Sequence, residues 1–164
     1  MDKRQKMYID MQVDFLKNFK QDNMWFCVID DMAYFGDSAS AHIMPASYCM
    51  LNDMLPAKAS IVYDNIVYNG ESVVKSMLQN PSKNHPLEVR LVYNSVEPNI
   101  KQIAEFIDAN DDIYIFDNKY LNASCIYNIK HYKYYYDNNA IYVYEEGQLI
   151  KMVMEFRRPR RDRV

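Results

Sequence analysis

The clearest pattern of apolar and polar positions lies between residues 113 and 156, where it predicts one strand, one helix and three further strands. The first run, residues 113–116, is β-branched and aromatic, as a buried strand should be. A helix is then predicted from about residue 119 to 129, because apolar residues recur at intervals of four from Leu121 onward.

Three strands with tight reversals are predicted to follow this helix. Residues 131–136 alternate, with three tyrosines on one side and His, Lys and Tyr on the other, which is typical of a half-buried strand. The Asp-Asn-Asn run at 137–139 tolerates positive φ, and Glu-Gly at 146–147 allows a second reversal. The pattern therefore predicts an antiparallel meander with one helix laid on it.

A looser copy of the same order is predicted near the N-terminus. Apolar residues at helical spacing predict a helix over residues 7–20, although a short strand at 7–11 followed by a shorter helix fits the same residues. Strands at 24–29, 32–35 and 39–44 follow, separated by turn residues. An internal repeat is one interpretation of this likeness, and chance similarity between two common units is the other.

The middle of the chain mixes both kinds of element. It is predicted to form a helix at 46–55, a strand at 60–68 that could turn at Asp64 and Asn65, a helix at 71–79, a loop at 80–86, a strand at 87–93 and a helix at 98–109. In the strand predicted at 87–93, alternate positions from Leu87 to Tyr93 are apolar and face one way. In the helix predicted at 98–109, Pro98 suits the first turn, and Ile103 and Ile107 point inward.

Together these elements predict an α+β fold, with antiparallel sheets, helices on one face and, in one interpretation, a helix-plus-meander repeat. A chain of 164 residues is long enough for one well-buried core and too short for two ordinary domains. We predict a single domain over residues 1–156 and a basic tail over 157–164.

The net charge of −3 hides an asymmetry along the chain. Of 19 basic and 22 acidic residues, the last eight positions hold five arginines and one aspartate, so the remainder carries 14 and 21, a net charge of −7. This acidic body argues against a broad nucleic-acid surface. The tail is either a solvated end or a flexible arm for phosphate or an acidic partner.

A second cationic feature is the strand that interleaves lysine with tyrosine. Such a pattern is used to stack the bases of single-stranded nucleic acid, but the same tyrosines fit a sheet core equally well. The residues predicted to contact nucleic acid or an acidic partner are Arg157, Arg158, Arg160, Arg161 and Arg163 in the tail and Lys130 and Lys133 near this strand.

Candidate catalytic and metal-binding residues are scattered. His42 and His131 lie on predicted strands and His85 in the proline-containing loop, so a shared metal is not expected. Acid pairs at 30–31 and 111–112 suit turns better than catalysis, because neighbours on a strand point to opposite sides. The chain has no phosphate-binding loop or nucleophile-elbow motif. We therefore predict no enzymatic activity, no cofactor and no metal.

Cysteine usage and the N-terminus bear on location. Cys27, Cys49 and Cys125 are odd in number and fit no metal-binding spacing, which favours reduced thiols in a cytoplasm. The charged residues at 2–6 argue against a signal peptide, and no apolar run approaches the ~20 residues of a membrane helix. We expect a cytoplasmic protein without membrane contact, in the host cytoplasm if a phage encodes it.

The C-terminal stretch also carries a recognisable order of motifs. Within residues 113–157 the chain reads FDNKYLNASCIYNIKHYKYYYDNNAIYVYEEGQLIKMVMEFR, in which a strand leads into a helix through the aromatic-leucine pair Tyr120 and Leu121. The stretch ends in a methionine-containing strand followed by Arg157. It resembles the closing half of a domain of the bacterial DNA polymerase sliding clamp, and the N-terminal stretch fits that family's internal repeat.

The chain also departs from this family. A clamp subunit carries three such domains and closes a ring around DNA, whereas this chain holds one, with an expanded middle. Clamp helices that face DNA are basic, and the residues that could serve here are Lys17, Lys20, Lys119 and Lys130. The family's peptide-binding pocket has no residue-by-residue match.

Two functional interpretations follow. In the first, the protein is a clamp-like binding module of phage or mobile-element origin that contacts a host or phage protein, with or without DNA. In the second, it is a small phage inhibitor of a host nucleic-acid enzyme or defence complex, similar to an anti-CRISPR protein, whose acidic body occupies a basic groove. Homo-oligomerisation is open in both.

Overall fold

The computed structural model describes residues 2–18, 24–51, 60–63, 66–121 and 132–156. Its helices are α1 (Lys3–Asn18), α2 (Gly70–Val73), continued by a π-helix (Val74–Leu78), and α3 (Asn118–Leu121), with a 3-10 turn at Ala46–Tyr48. Its strands are β1 (Trp25–Ile29), β2 (Met32–Gly36), β3 (Ser40–Pro45), β4 (Ser60–Tyr63), β5 (Ile66–Asn69), β6 (Pro86–Asn94), β7 (Gln102–Ile107), β8 (Ile113–Asp117), β9 (Tyr132–Asp137), β10 (Ala140–Glu145) and β11 (Gln148–Met154).

Nine of these strands form one sheet, in the order β1-β2-β3-β11-β10-β9-β6-β7-β8, and β4 and β5 pair separately as a hairpin. All neighbours in the sheet are antiparallel. The sheet thus consists of three meanders: β1 to β3, β9 to β11 and β6 to β8. Two joints hold the meanders together, one between β3 and β11 and the other between β6 and β9. The fold is α+β, as predicted.

The predicted tight reversals are confirmed by their backbone angles. Asp30 and Asp31 have φ of 50° and 64°, and Asn138 and Asn139 have φ of 51° and 59°. Two consecutive residues with positive φ form the hairpin turn whose twist matches that of the flanking strands. The turn ending at Gly147, with φ of 82°, has the same character. These turns set the register of both meanders that contain them.

The helices lie on both faces of the sheet, so the prediction of helices on one face is wrong. Residues of α1 and α3 pack with one core cluster, and residues of α2 and its π-helix pack with the other. Along β10, Ile141 and Val143 belong to the first cluster, whereas Ala140 and Tyr142 belong to the second. A strand that is apolar on both sides must be covered on both sides.

The helix predicted over residues 98–109 is also wrong, because β7 occupies Gln102–Ile107 and pairs with β6 and β8. Ile103 and Phe106 are both buried in this strand. Spacing of three and four fits a helix face, but pairing on both sides satisfies the backbone of this segment within the sheet.

Other predicted boundaries shift. A strand at 7–11 is excluded because α1 spans these residues and buries Tyr8, Met11 and Phe15. The predicted helix at 46–55 is a 3-10 turn at Ala46–Tyr48, and residues 52–59 lie outside the described part. The predicted helix at 119–129 is described as α3 up to Leu121, and its remainder lies outside the described part.

Candidate functional site

Of the seven cationic residues predicted to contact nucleic acid or an acidic partner, the structure describes Lys133, which is exposed on β9. The other six lie outside the described residues: Lys130, Arg157, Arg158, Arg160, Arg161 and Arg163. Tyr134 is 4% exposed and packs in the core, so it is not available for base stacking. Lys133 lies on the opposite face of β9, because successive side chains of a strand alternate.

Beside Lys133, strands β6 and β9 pair over a short length and then diverge. The space between the diverging strands is called the fork. Strands β6 and β9 pair only at Pro86 with Tyr135 and Leu87 with Tyr134. Beyond these pairs the strands separate, and a cavity of about 510 Å³ lies between them. Ligand sites in proteins typically have volumes of about 300–1,000 Å³. The fork is lined by Pro86, Leu87, Glu88, Val89, Tyr132, Lys133, Tyr134 and Tyr135.

A β-bulge explains why the two strands diverge. The register of β6 against β7 shifts between Val89 and Leu91, with Arg90 as the extra residue. A bulge bends its strand and increases its local twist. It also reverses the side-chain alternation: Leu91 is 37% exposed, whereas Leu87 is buried. The prediction that Leu91 faces the same way as Leu87 and Val89 is therefore wrong.

The walls of the fork combine charge with aromatic surface. Glu88 and Lys133 are exposed on the facing strands, and Tyr132 and Tyr135 are half-buried. Within the described part of the chain, neither Glu88 nor Lys133 forms an ion pair. A diverging strand pair with these side chains can accept an extended peptide, which gains affinity from main-chain hydrogen bonds and specificity from alternate side chains.

A polar cluster fixes the closed end of the fork. The backbone amide of Tyr136 donates to the carbonyl of His85 at 2.9 Å, directly beside the last strand pair. The His85 side chain reaches the β7–β8 turn, where its Nε2 lies 2.8 Å from Oδ2 of Asp108. The hydroxyl of Tyr114 donates to the same oxygen at 3.1 Å. The point at which β6 meets β9 is thereby tied to a third strand.

The electrostatics of this cluster favour a charged Asp108. Burial acts to raise the pKa of its carboxyl, but hydrogen bonds from His85, from two backbone amides of the turn and from Tyr114 hold that pKa below its ordinary value. Burial, and then the hydrogen bond to Asp108, raise the pKa of Tyr114 to about 12. At neutral pH the carboxylate therefore accepts hydrogen bonds and the tyrosine donates one.

No group of three or more His, Cys, Asp or Glu side chains is placed to hold a metal ion among the residues that the structure describes. None of the described helices has the length and apolar character needed to cross a bilayer. Comparison with protein-family models, curated proteins and solved structures found no match to this chain.

The sequence pattern predicts Lys133 as a contact residue but does not indicate the fork. It shows His85 only as a single imidazole in a loop. Asp108 and Tyr114 come close to His85 only when the segment after residue 101 is a strand, because the β7–β8 turn then carries Asp108 across the sheet. The prediction of a helix there concealed the cluster. No spacing in the sequence indicates the fork itself, since it arises where non-consecutive strands diverge.

Proposed function

We propose that this protein is a non-enzymatic, clamp-like binding module that acts through protein–protein contacts, and that the fork receives an extended segment of its partner. The observation that carries the binding role is the cavity of about 510 Å³ between two strands that pair at only two positions. An extended segment can form main-chain hydrogen bonds with these strands where β6 and β9 no longer pair with each other.

The arrangement of the sheet supports the clamp-like part of the proposal. Helix α1 precedes the meander β1 to β3, and α3 precedes the meander β9 to β11 along the chain. The two meanders adjoin through β3 and β11, and both helices pack with the same core cluster. Two helix-plus-meander units side by side are what the resemblance to a clamp domain implies.

The charges of the fork suggest how a partner segment is held. Lys133 and Glu88 stand on opposite walls, so a segment with one acidic and one basic side chain can pair with both. Because these charges are exposed, each pair adds modestly to affinity and more to the choice of register and direction. Tyr132 and Tyr135 supply apolar area beside them.

A peptide selection tests this proposal. A displayed library of linear peptides is selected on the full chain, and the enriched peptides are measured against Lys133→Glu and against Lys6→Glu, an exposed lysine on α1. We expect about a three- to tenfold loss of affinity for Lys133→Glu, since the reversal replaces one exposed attraction with a repulsion, and no loss for Lys6→Glu. Equal affinities for both variants, or no enrichment of any peptide, would contradict binding in the fork.

Salt dependence separates this function from the alternative of an acidic inhibitor. A peptide held by main-chain pairing should lose little affinity between 0.05 and 0.5 M salt, because surface charges contribute only part of the binding. A body that fills a basic groove should lose affinity steeply over the same range. Light scattering on the same samples gives the solution mass, since encirclement of DNA requires oligomerisation.

A further inference from the structure

Strand β1 forms one edge of the nine-stranded sheet. It pairs with β2 on one side, and within the described ranges no strand pairs with it on the other. Its sequence, WFCVI, contains no charged residue and no proline, and its register with β2 is unbroken. Natural proteins protect edge strands with charges, proline or bulges, because an unpaired edge is a template for another strand. The edge of β1 carries none of these three protections.

The turn after β1 determines which backbone groups this edge presents. Residues 30–31 form a two-residue hairpin turn, so the residues on either side of it are a hydrogen-bonded pair. Such pairs alternate along an antiparallel ladder, and Cys27 therefore also directs its amide and carbonyl toward β2. Phe26 and Val28 direct theirs away from β2, and no backbone hydrogen bond reaches them from the rest of the described chain. The Val28 side chain is 47% exposed, so a further strand has access to this edge.

The opposite edge of the sheet, β8, is better protected. The backbone amide of Phe156 donates to the carbonyl of Ile115 at 2.9 Å, so the segment after β11 already occupies part of this edge. Asp111 and Asp112 lie directly before β8, and Asp117 ends it. Charges at an edge oppose pairing with another chain. A strand from a second molecule is therefore expected at β1 and not at β8.

The length of β1 selects one register for pairing with a second copy. Two antiparallel copies of this five-residue strand overlap fully only when the middle residue, Cys27, lies on the two-fold axis. Phe26 of one copy is then opposite Val28 of the other. These are the residues whose amides and carbonyls point outward, so each such pair exchanges both main-chain hydrogen bonds. The register with the longest overlap thus also satisfies the free backbone groups.

The charges beside β1 are complementary under the same symmetry. Glu71 and Lys75 are exposed on α2 and its π-helix and form an ion pair at 2.8 Å. Burial raises the pKa of the Cys27 thiol, and the charges of Glu71 and Lys75 also act on it, so both side chains lie near the axis. Rotation about Cys27 sets this ion pair beside its own copy in the reverse order, with cation toward anion. A second copy therefore brings a matching pair of charges to this edge.

We propose that β1 is the interface through which two copies of this chain pair edge to edge, so that the sheet of one continues into the sheet of the other across a two-fold axis at Cys27. Such an interface uses the same surface of both copies, so it closes with two and does not extend into a ring or filament. The fork lies between β9 and β6, away from this edge, and the inference does not rest on the function proposed above.

The mass of the full chain in solution tests this pairing. Sedimentation equilibrium over a range of protein concentrations should fit a monomer–dimer equilibrium with no larger species. Val28→Lys places a cation at the edge and should raise the dissociation constant about tenfold or more, because the change acts twice in a symmetric dimer. Val96→Lys, at a residue that is 98% exposed in the β6–β7 connection, is the matched control and should leave it unchanged. A monomeric natural chain at every concentration, or equal dimerisation of both variants, would overturn the proposal.

Cysteine crosslinking tests the register without the lysine variants. Opposite residues of a non-hydrogen-bonded pair have Cα atoms about 4.5 Å apart, which is within the range of a disulfide. With Cys49 and Cys125 replaced by serine, mild oxidation should link two chains through Cys27. In the same background, Cys27→Ser with Val28→Cys should abolish the link, because residue 28 lies opposite Phe26 of the second copy. A chain that dimerises without the link at residue 27, or that links at residue 28 instead, would contradict the two-fold pairing.

Discussion

The two joints of the sheet perform the same topological task but differ in how much of each is buried. At the β3–β11 joint, three residue pairs unite the strands and all six residues are buried. At the β6–β9 joint, two pairs unite the strands, and the exposed Glu88 and Lys133 follow directly. The first joint has helices over both faces and serves stability. The second leaves a cavity between its strands, and in the proposed function this cavity receives the partner segment.

The largest expected effect on the free energy of unfolding comes from truncating a buried side chain at the β3–β11 joint. Met152 is 3% exposed and pairs with Ala41 across it, so Met152→Ala should lower the free energy of unfolding by about 2–5 kcal/mol. Val89→Ala, on the wall of the fork, is the matched variant and should lower it by only about 1 kcal/mol. Urea unfolding measures both. Equal losses would mean that the fork is as much a structural joint as the other.

The next effect is a dependence of stability on pH that arises from His42 at the β3–β11 joint. The folded-state pKa of His42 lies well below 6.5, so below pH 6.5 the unfolded chain binds a proton that the folded chain excludes. Stability should therefore fall by up to about 1.4 kcal/mol per pH unit as the pH drops below 6.5, until the folded-state pKa is reached.

Urea unfolding of the natural chain and of His42→Phe between pH 7.5 and 5 isolates this effect, because the two proteins differ only at residue 42. The variant should show the shallower slope. Asp108 has a lowered pKa as well, so its contribution is lost only as the pH falls below the ordinary range of a carboxyl and does not enter this window. Parallel slopes would show that His42 takes up its proton in the folded state.

The sequence predicts the meanders β1 to β3 and β9 to β11 better than the joints between meanders. Positive-φ residues such as Asp31 and Asn139 lie between strands of matching length, and this local chemistry indicates a hairpin wherever it occurs. The segment Gln102–Ile107 shows the limit, because its spacing fits a helix and only pairing with β6 and β8 makes it a strand. The fork depends on such non-local pairing, so neither its position nor the cluster at His85 could be predicted.

A smaller effect tests the turns that the meanders depend on. Asp31 has φ of 64°, where a β-branched residue is strained, so Asp31→Val should lower the free energy of unfolding by about 1–2 kcal/mol. Asp31→Gly, which adopts this angle freely, is the matched control and should cost nothing. Thermal unfolding followed by circular dichroism compares the two. Equal losses would indicate that the aspartate side chain, and not the backbone angle, matters at this turn.

The smallest expected effect on stability lies in the fork itself. Lys133 and Glu88 are exposed and form no ion pair in the described part of the chain, so Lys133→Glu and Glu88→Lys should each change the free energy of unfolding by less than about 0.5 kcal/mol. The two reversals together should also be additive, because no ion pair between the two side chains couples them in the described part of the chain. Urea unfolding of the two single variants and the double variant measures this. A loss above about 1 kcal/mol, or strong coupling between the two reversals, would mean that these charges hold the strands together, and the fork would then belong with the buried joint as part of the scaffold.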